Sequence, residues 1–319
     1  MLTVGASRRH PSRLAPTVRR VRKPRLRPQE FEQPEHTMTR TLSLRSQRPI
    51  VLAATLLAGT FIAGAAHADA TLDKIRQRGR IVVGIMLSGS AFGSIDPATQ
   101  KPVGFNAELA QDLARQLHVE LETVQVQPSN RVQFLQQGKV DVLIAAMEYN
   151  AERGEQLGHV PTPYYRVGGA VIVPKQSDIR RWEDLKGKTV CISQGSSYTR
   201  PVQVEYGAIP KGFKGSAESL LALRGDNCAG AVHDNTLLQP LVRGNPEWQN
   251  YRIVLPELNP APTVVWTRRG EQDTIQAVDR IVQNWHRTGW LIATEKKAGI
   301  LPPSPALIEL HDRFKGGRS

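Results

Sequence analysis

The chain has 319 residues, enough for one large or two ordinary domains with real cores, and a formal charge of +13 that at first points to nucleic acid or an anionic membrane. The charge is not spread evenly: residues 1–68 carry 12 Lys/Arg against 3 Asp/Glu, and residues 69–319 carry 30 against 26. The body is therefore a nearly balanced globular protein, and nucleic-acid binding loses its support once the basic front is set aside.

That front reads as export machinery. Residues 1–37, rich in Arg and Pro, fit a disordered or mis-assigned N-terminal extension. A second start at Met38 opens "MTRTLSLRSQRP", with three Arg and no acid, followed by the apolar run "IVLAATLLAGTFIAGAA" of 17 residues. The run ends at Ala66-His67-Ala68, the small-x-small form that a signal peptidase cuts. Residues 38–68 are thus expected to be a cleaved signal peptide. No Cys lies near the junction, which argues against a lipid anchor, and the mature protein is expected to be periplasmic and soluble.

Strands and helices then alternate. "RIVVGIML" (80–87) reads as a strand and "NAELAQDLARQLHV" (106–119) as a helix with Asn106 as N-cap and an apolar stripe of Leu109, Leu113 and Leu117. "VELETVQV" (119–126) alternates as a strand, "NRVQFLQQG" (130–138) is a short helix stopped by Gly138, and "VDVLIAAM" (140–147) is a buried strand. A short polar helix follows, with Arg153 in its first turn. A positive charge there opposes the helix dipole. It is either a solvated Arg paired with Glu152 or Glu155, or half of an anion site, since helix-start N–H groups and a guanidinium together suit a carboxylate.

A second series begins after "GGAVIVPK" (168–175). "KTVCISQ" (188–194) is a strand that delivers Gly195-Ser196-Ser197 into a helix. "SAESLLALRG" (216–225) is a helix with Ser216 as N-cap and Gly225 as its stop. "AGAVHD" (229–234) is a buried strand ending at Asp234, and "YRIVLPEL" and the strand "APTVVWT" (261–267) close the series. "EQDTIQAVDRIVQNWHRTG" (271–289) and "ALIELHDRF" (306–314) finish as helices. Repeated βαβ units predict an α/β protein with mostly parallel sheets flanked by helices. Two such units joined by extended crossings near 168–175 and 261–267 predict two lobes on a double-stranded hinge. Residues 69–170 with 265–319 form lobe 1, and 171–264 form lobe 2. Ligands of such sheets bind beyond the carboxyl ends of strands, where Glu148, Ser196 and Asp234 fall.

The two cysteines, Cys191 and Cys228, fall in the exported part, where an isolated pair is most simply a disulfide. The eight His residues form no ligand-like cluster, so neither a metal nor another cofactor is expected.

Residues 71–315 resemble the periplasmic solute-binding proteins of ATP-driven importers of the polar amino-acid type. The matching pieces occur in order: "LDKIRQRGRIVVGI", "KPVGFNAELAQDLARQL", "NRVQFLQQGKVDVLIAAM", "NAERGEQLGHVPTPYY", "WEDLKGKTVCISQGSS", "AGAVHD" and "YRIVLPE". The resemblance implies the two-lobed periplasmic-binding-protein fold of type II. It also implies a monomeric receptor that binds a free polar or charged amino acid between its lobes and delivers it to a membrane permease. In that family the Arg matching Arg153 clamps the ligand's α-carboxylate, and the turn matching Gly195, Ser196 and Ser197 offers donors to the same group. The Asp matching Asp234 takes the α-ammonium, and an aromatic matching Phe92 stacks over the ligand. Arg131 matches a position that reads a side-chain carboxylate in acidic-amino-acid binders.

The chain departs from the family at Glu148, where Thr or Ser is usual. A carboxylate there opposes the ligand's own unless it is paired or turned away. If Arg131 and Glu148 pair with each other, the pocket suits an uncharged side chain. A free Arg131 suits an acidic one, and a free Glu148 a basic one. Two other functions fit the scaffold: a cyclohexadienyl-dehydratase-like enzyme and a sensory module. The first needs a general acid in the cleft; Asn235, Thr236 and Leu237 after Asp234 supply none, which leaves Glu148 as the unusual candidate acid. The second calls for a membrane helix and further domains after the module, whereas this chain ends at Ser319. Binding without catalysis is the expectation.

Overall fold

The computed structural model describes residues 70–88 and 90–315. The expected extension (1–37) and signal peptide (38–68) lie outside them. The described chain opens with α1 (Ala70–Arg78), β1 (Arg80–Met86), the ribbon β2 (Ser94–Ile95) and β3 (Pro102–Val103), α2 (Phe105–Gln116) and β4 (Glu120–Val126). It continues through α3 (Arg131–Gln136), β5 (Val142–Ile144), α4 (Ala151–Gln156) and β6 (Gly158–His159). The second half holds β7 (Tyr165–Pro174), β8 (Thr189–Ser193), α5 (Thr199–Val204), β9 (Ile209–Phe213), α6 (Ser216–Arg224), β10 (Gly230–Asp234), α7 (Asn235–Gly244), β11 (Tyr251–Ile253) and β12 (Leu258–Thr263). The chain ends with β13 (Trp266–Thr267), α8 (Gln272–Arg287), α9 (Trp290–Lys297) and α10 (Pro305–Phe314).

Two sheets result. The first runs β4-β1-β5-β13-β6, and the second β11-β7-β10-β8-β9 with β12 also paired to β7. The centres are parallel: β1 with β4 and β5, and β8 with β9 and β10. Antiparallel strands are added at β13 and β7, where the chain passes between the sheets. Alternation explains why each sheet carries a core on both faces. In β1, Ile81, Val83 and Ile85 point into one cluster with α2 and α8, while Val82 enters another with Leu135 and Trp266. In the second sheet Val171, Val173 and Val232 serve one face, and Ala170, Ile172 and Ala231 the other. The expected two-lobed α/β architecture of type II is what the structure shows.

The first crossing sits earlier than the sequence pattern places it. Residues 168–174 belong to β7 and lie within the second sheet, where β7 pairs with β10, β11 and β12. The chain passes between sheets at 160–164 instead, and returns at 264–265, inside the expected 261–267. These two segments lie side by side: the Val160 N–H donates to Val265 O at 2.9 Å and the Tyr164 N–H to Thr263 O at 2.9 Å. The expected strand 261–267 is likewise split into β12 and β13, one in each sheet.

Two helix starts differ as well. Helix α2 begins after Gly104, whose φ of 103° and close approach to Ala91 O exclude a side chain, so Asn106 lies inside the helix and not at its cap. Helix α6 begins at Ser216 with Gly215 as the capping residue. Helices α1, α7 and α9 and strand β9 escaped the reading altogether. They are short or carry exposed apolar residues such as Ile209, which blur the periodicity.

Cys191 in β8 and Cys228, just ahead of β10, form a disulfide with Cα atoms 5.7 Å apart, buried between α6 and the sheet. The bond closes a loop of 37 residues, a constraint worth roughly 4 kcal/mol on the chain-entropy model. The double variant Cys191→Ser with Cys228→Ser should therefore lose about 2–4 kcal/mol in urea denaturation followed by circular dichroism.

Candidate functional site between the two sheets

The carboxyl ends of β1, β5, β8 and β10 converge on one cavity of about 30 Å³. Its walls include Met86, Arg131 and Glu148 from the first sheet and Ser193, Ser196, Ser197, Tyr198 and Asp234 from the second. A space of that size holds one or two water-sized groups, so anything as large as a free amino acid enters only when the lobes part.

Glu148 owes its place to a backbone tied down on every side. The chain leaves β5 through Ala146, at φ 47°, and each following group is held. Ala145 O accepts from Arg131 Nη1 at 3.0 Å, and the Ala146 N–H donates to the Tyr164 hydroxyl at 3.2 Å. Met147 O accepts from Trp266 Nε1 at 2.8 Å, and the Tyr149 N–H donates to Pro262 O at 2.7 Å. Glu148 is only 4 % exposed.

The next turn explains the placement of Arg153. Asn150 caps α4, its Oδ1 accepting the Arg153 N–H at 2.9 Å. The Arg153 side chain is free to turn back: Nη1 reaches Glu148 Oε1 at 2.8 Å and Glu148 O at 2.9 Å. Its Nη2 crosses to Gly195 O at 3.2 Å. Neither Glu152 nor Glu155 is its partner. The Ser197 hydroxyl, on the opposite sheet, donates to the same Glu148 Oε1. Gly195 closes the contact from its side: at φ 76°, a methyl there would overlap Pro128 O.

Asp234 ends β10 and accepts a hydrogen bond from the Tyr198 hydroxyl at 2.8 Å. Burial, with the Glu148 carboxylate second, pushes its carboxyl up to about 7, against the pull of Tyr198, Arg131 and Arg153. Burial lowers the Arg131 guanidinium to about 10, and Arg153 adds to that effect, so Arg131 is still a cation at neutral pH. Arg131 Nε and Ser193 Oγ are buried without a partner. His233, pushed down to about 4 by burial, is neutral and shares a hydrogen with Ser219 Oγ at 2.9 Å.

The structure thus brings together seven of the residues singled out from sequence: Arg131, Glu148, Arg153, Gly195, Ser196, Ser197 and Asp234. Phe92 is not among them. It packs edge-on against Phe105 and Tyr165, with ring centroids 5.6 and 5.2 Å away, inside the first core. Its edge faces a different pocket of about 630 Å³ lined by Arg166, Arg243 and the segment 299–306. Tyr198 was missed by sequence reasoning, although its position directly after Ser197 was a usable signal. Met86 could have been found from its place at the carboxyl end of β1.

Two lobes that close on a buried, charge-lined cavity through a paired hinge define a solute-binding protein. This chain belongs to the bacterial extracellular solute-binding proteins, family 3, whose profile matches residues 81–299. A glutamine-binding protein of Geobacillus stearothermophilus is 30% identical over 191 residues, 58% of this chain and 71% of that one. The ABC transporter arginine-binding protein 1 of Escherichia coli (strain K12) is 25% identical over 201 residues, covering 63% and 76%. Among solved structures, the cysteine-binding protein from Campylobacter jejuni superposes with a TM-score of 0.67 at 26% identity, covering 72% of this chain and 92% of its own. These relatives are named as binding proteins, not as enzymes.

The raised Asp234 carboxyl has a consequence for stability. The folded chain keeps a proton that the unfolded chain sheds near pH 4, so the stability that this group contributes is present at acid pH and is lost as pH rises from about 4 through 7. Asp234→Asn keeps an oxygen for Tyr198 and removes the buried charge. Melting curves should show the variant gaining on the wild type across that window, by on the order of 2 kcal/mol at pH 8.

Proposed function

We propose that this protein is a monomeric receptor that captures one free polar or charged amino acid between its lobes. It then delivers the ligand unchanged to the permease of an ATP-driven importer. The observation that carries this reading is the meeting of opposite charges from both sheets at one cavity. Arg153 and Ser197 suit an α-carboxylate, which takes a bidentate guanidinium and a hydroxyl donor. Ser196 and Gly195 offer the same group a polar turn. Asp234 suits the α-ammonium, and the hinge at 160–164 and 264–265 supplies the opening by which a ligand enters. The names of the relatives, which bind glutamine, arginine and cysteine, support an amino acid as the ligand class.

Export completes the proposal. Residues 38–68 would direct the chain to the periplasm, and N-terminal sequencing of the secreted protein should find Asp69 first. A mature chain that still begins near Met38 would instead indicate an anchored protein.

One observation favours a catalytic reading: a carboxyl at about 7 is poised to act as a general acid. The binding reading accounts for it differently, since an arriving ammonium would draw Asp234 into its ionised form. A thermal-shift screen of the free amino acids, with product analysis of every hit, separates the two. Under the binding reading the ligand is recovered intact. Its affinity rises by up to about tenfold per pH unit below 7 and levels off above, as Asp234 ionises without assistance.

Loss of a desolvated charge partner costs on the order of 2–5 kcal/mol, tens to thousands of fold in affinity. Arg153→Ala and Asp234→Ala should each abolish measurable binding by calorimetry while circular dichroism stays that of a folded protein. An Arg153→Ala variant that binds as tightly as wild type would remove Arg153 from the site.

A further inference from the structure

Two guanidinium and two carboxyl side chains lie at this cavity or, in the case of Arg153, against one of its walls, and one of them stands where another group is expected. Glu148 Oε1 lies on Arg153 Nη1 at 2.8 Å and accepts the Ser197 hydroxyl. Those are the donors that a ligand's α-carboxylate would use. The protein therefore carries a tethered carboxylate on its own anion seat.

We propose that Glu148 sets the charge class of the ligand, admitting amino acids with uncharged side chains and refusing acidic ones. The inference rests on the amino-acid-receptor reading given above and adds to it the residue that selects.

Glu148 cannot leave the site. Its carbonyl is held by Arg153, and its neighbours on both sides are bonded to Arg131, Tyr164, Trp266 and Pro262. Only its side chain can turn. A carboxylate that yields Arg153 and Ser197 to the ligand still needs a cation, because an unpaired buried charge is costly. Arg131 is that cation. It is 4 % exposed and lines the same cavity. One amino group holds Ala145 O at 3.0 Å, and its Nε has no partner. Exchange is thus internally balanced: ligand carboxylate to Arg153, ligand ammonium to Asp234, and Glu148 to Arg131. Nothing is left over for a charged side chain. An acidic ligand would bring an uncompensated anion into the cavity, and a basic one an uncompensated cation.

Removal of the Glu148 charge unbalances this set in a defined direction. Arg131 loses its partner, the cavity gains one net positive charge, and a ligand of net charge −1 becomes the best fit. A purely structural brace behaves differently, since removing it weakens every ligand alike without changing their order.

The test uses the full-length expressed protein, unfolded and refolded to free it of carried solute. Calorimetry is run with L-glutamine, L-glutamate and L-arginine as probes. Should another uncharged amino acid be the stronger ligand in a screen, it replaces glutamine. Wild type should bind the uncharged probe and neither charged one. Glu148→Gln, which keeps hydrogen bonds to Ser197 and Arg153, and Glu148→Thr should both shift the glutamate-to-glutamine affinity ratio toward glutamate by about tenfold or more.

A wild type that prefers glutamate or arginine overturns the inference, and so do folded variants with an unchanged ratio. The wild-type ranking decides the matter even if both variants unfold. A wild type that binds no amino acid at all refutes the receptor reading itself, a different result from a wrong charge class.

Discussion

A guanidinium held against a buried carboxylate, Arg153 on Glu148, is the contact on which the cavity's organisation depends. Isolated in the interior, either charge would be costly. Together, and bonded to Ser197 and Gly195 from the opposite sheet, they draw two independent cores toward one polar seam. The seam is small because the charges approach so closely. Asp234 feels the result directly, since burial and, second to it, the same Glu148 charge that steadies Arg153 raise its carboxyl.

Two properties of the backbone make such a seam affordable to the fold. Most of the hydrophobic layers lie within one sheet or the other, with Tyr165 and Val167 at the start of β7 joining the first core from the second sheet. The crossing segments at 160–164 and 264–265 are paired to each other by backbone hydrogen bonds, so they can bend together as one short ribbon. Tyr164 links the two features. Its backbone N–H belongs to the hinge ribbon and its hydroxyl accepts the Ala146 N–H beside the site. Hinge and cavity wall are therefore mechanically continuous.

Much of this was legible in the residue order. The alternation of strands and helices followed from apolar periodicity, and the disulfide followed from two lone cysteines in a segment read as exported. Seven of the residues that the structure gathers at or beside the cavity followed from strand-end positions and family resemblance. Phe92 does not stand where the family resemblance implied, because Phe105 and Tyr165 offer its ring three-way edge contacts that only the folded chain brings together. The first crossing was displaced for a comparable reason. A buried strand and an extended crossing share the same apolar composition, and only pairing with β10 and β12 assigns 168–175 to the second sheet.

The sequence by itself determined the fold class, the family, the location of the charged groups at strand ends and the oddity of a Glu where a hydroxyl is usual. These are local or additive properties: periodicity, composition and motif order are written along the chain. Tertiary structure alone decided which charge meets which. Arg131, Glu148, Arg153 and Asp234 span more than a hundred residues, and three pairings of the spare charges were equally compatible with their order. The turn at Ala146 and the N-cap at Asn150 aim Glu148 and Arg153 at each other, leaving Arg131 on a carbonyl and Asp234 on Tyr198. Pair choice among buried charges depends on ångström distances and on what else excludes water, and neither is encoded in the spacing of residues along a strand.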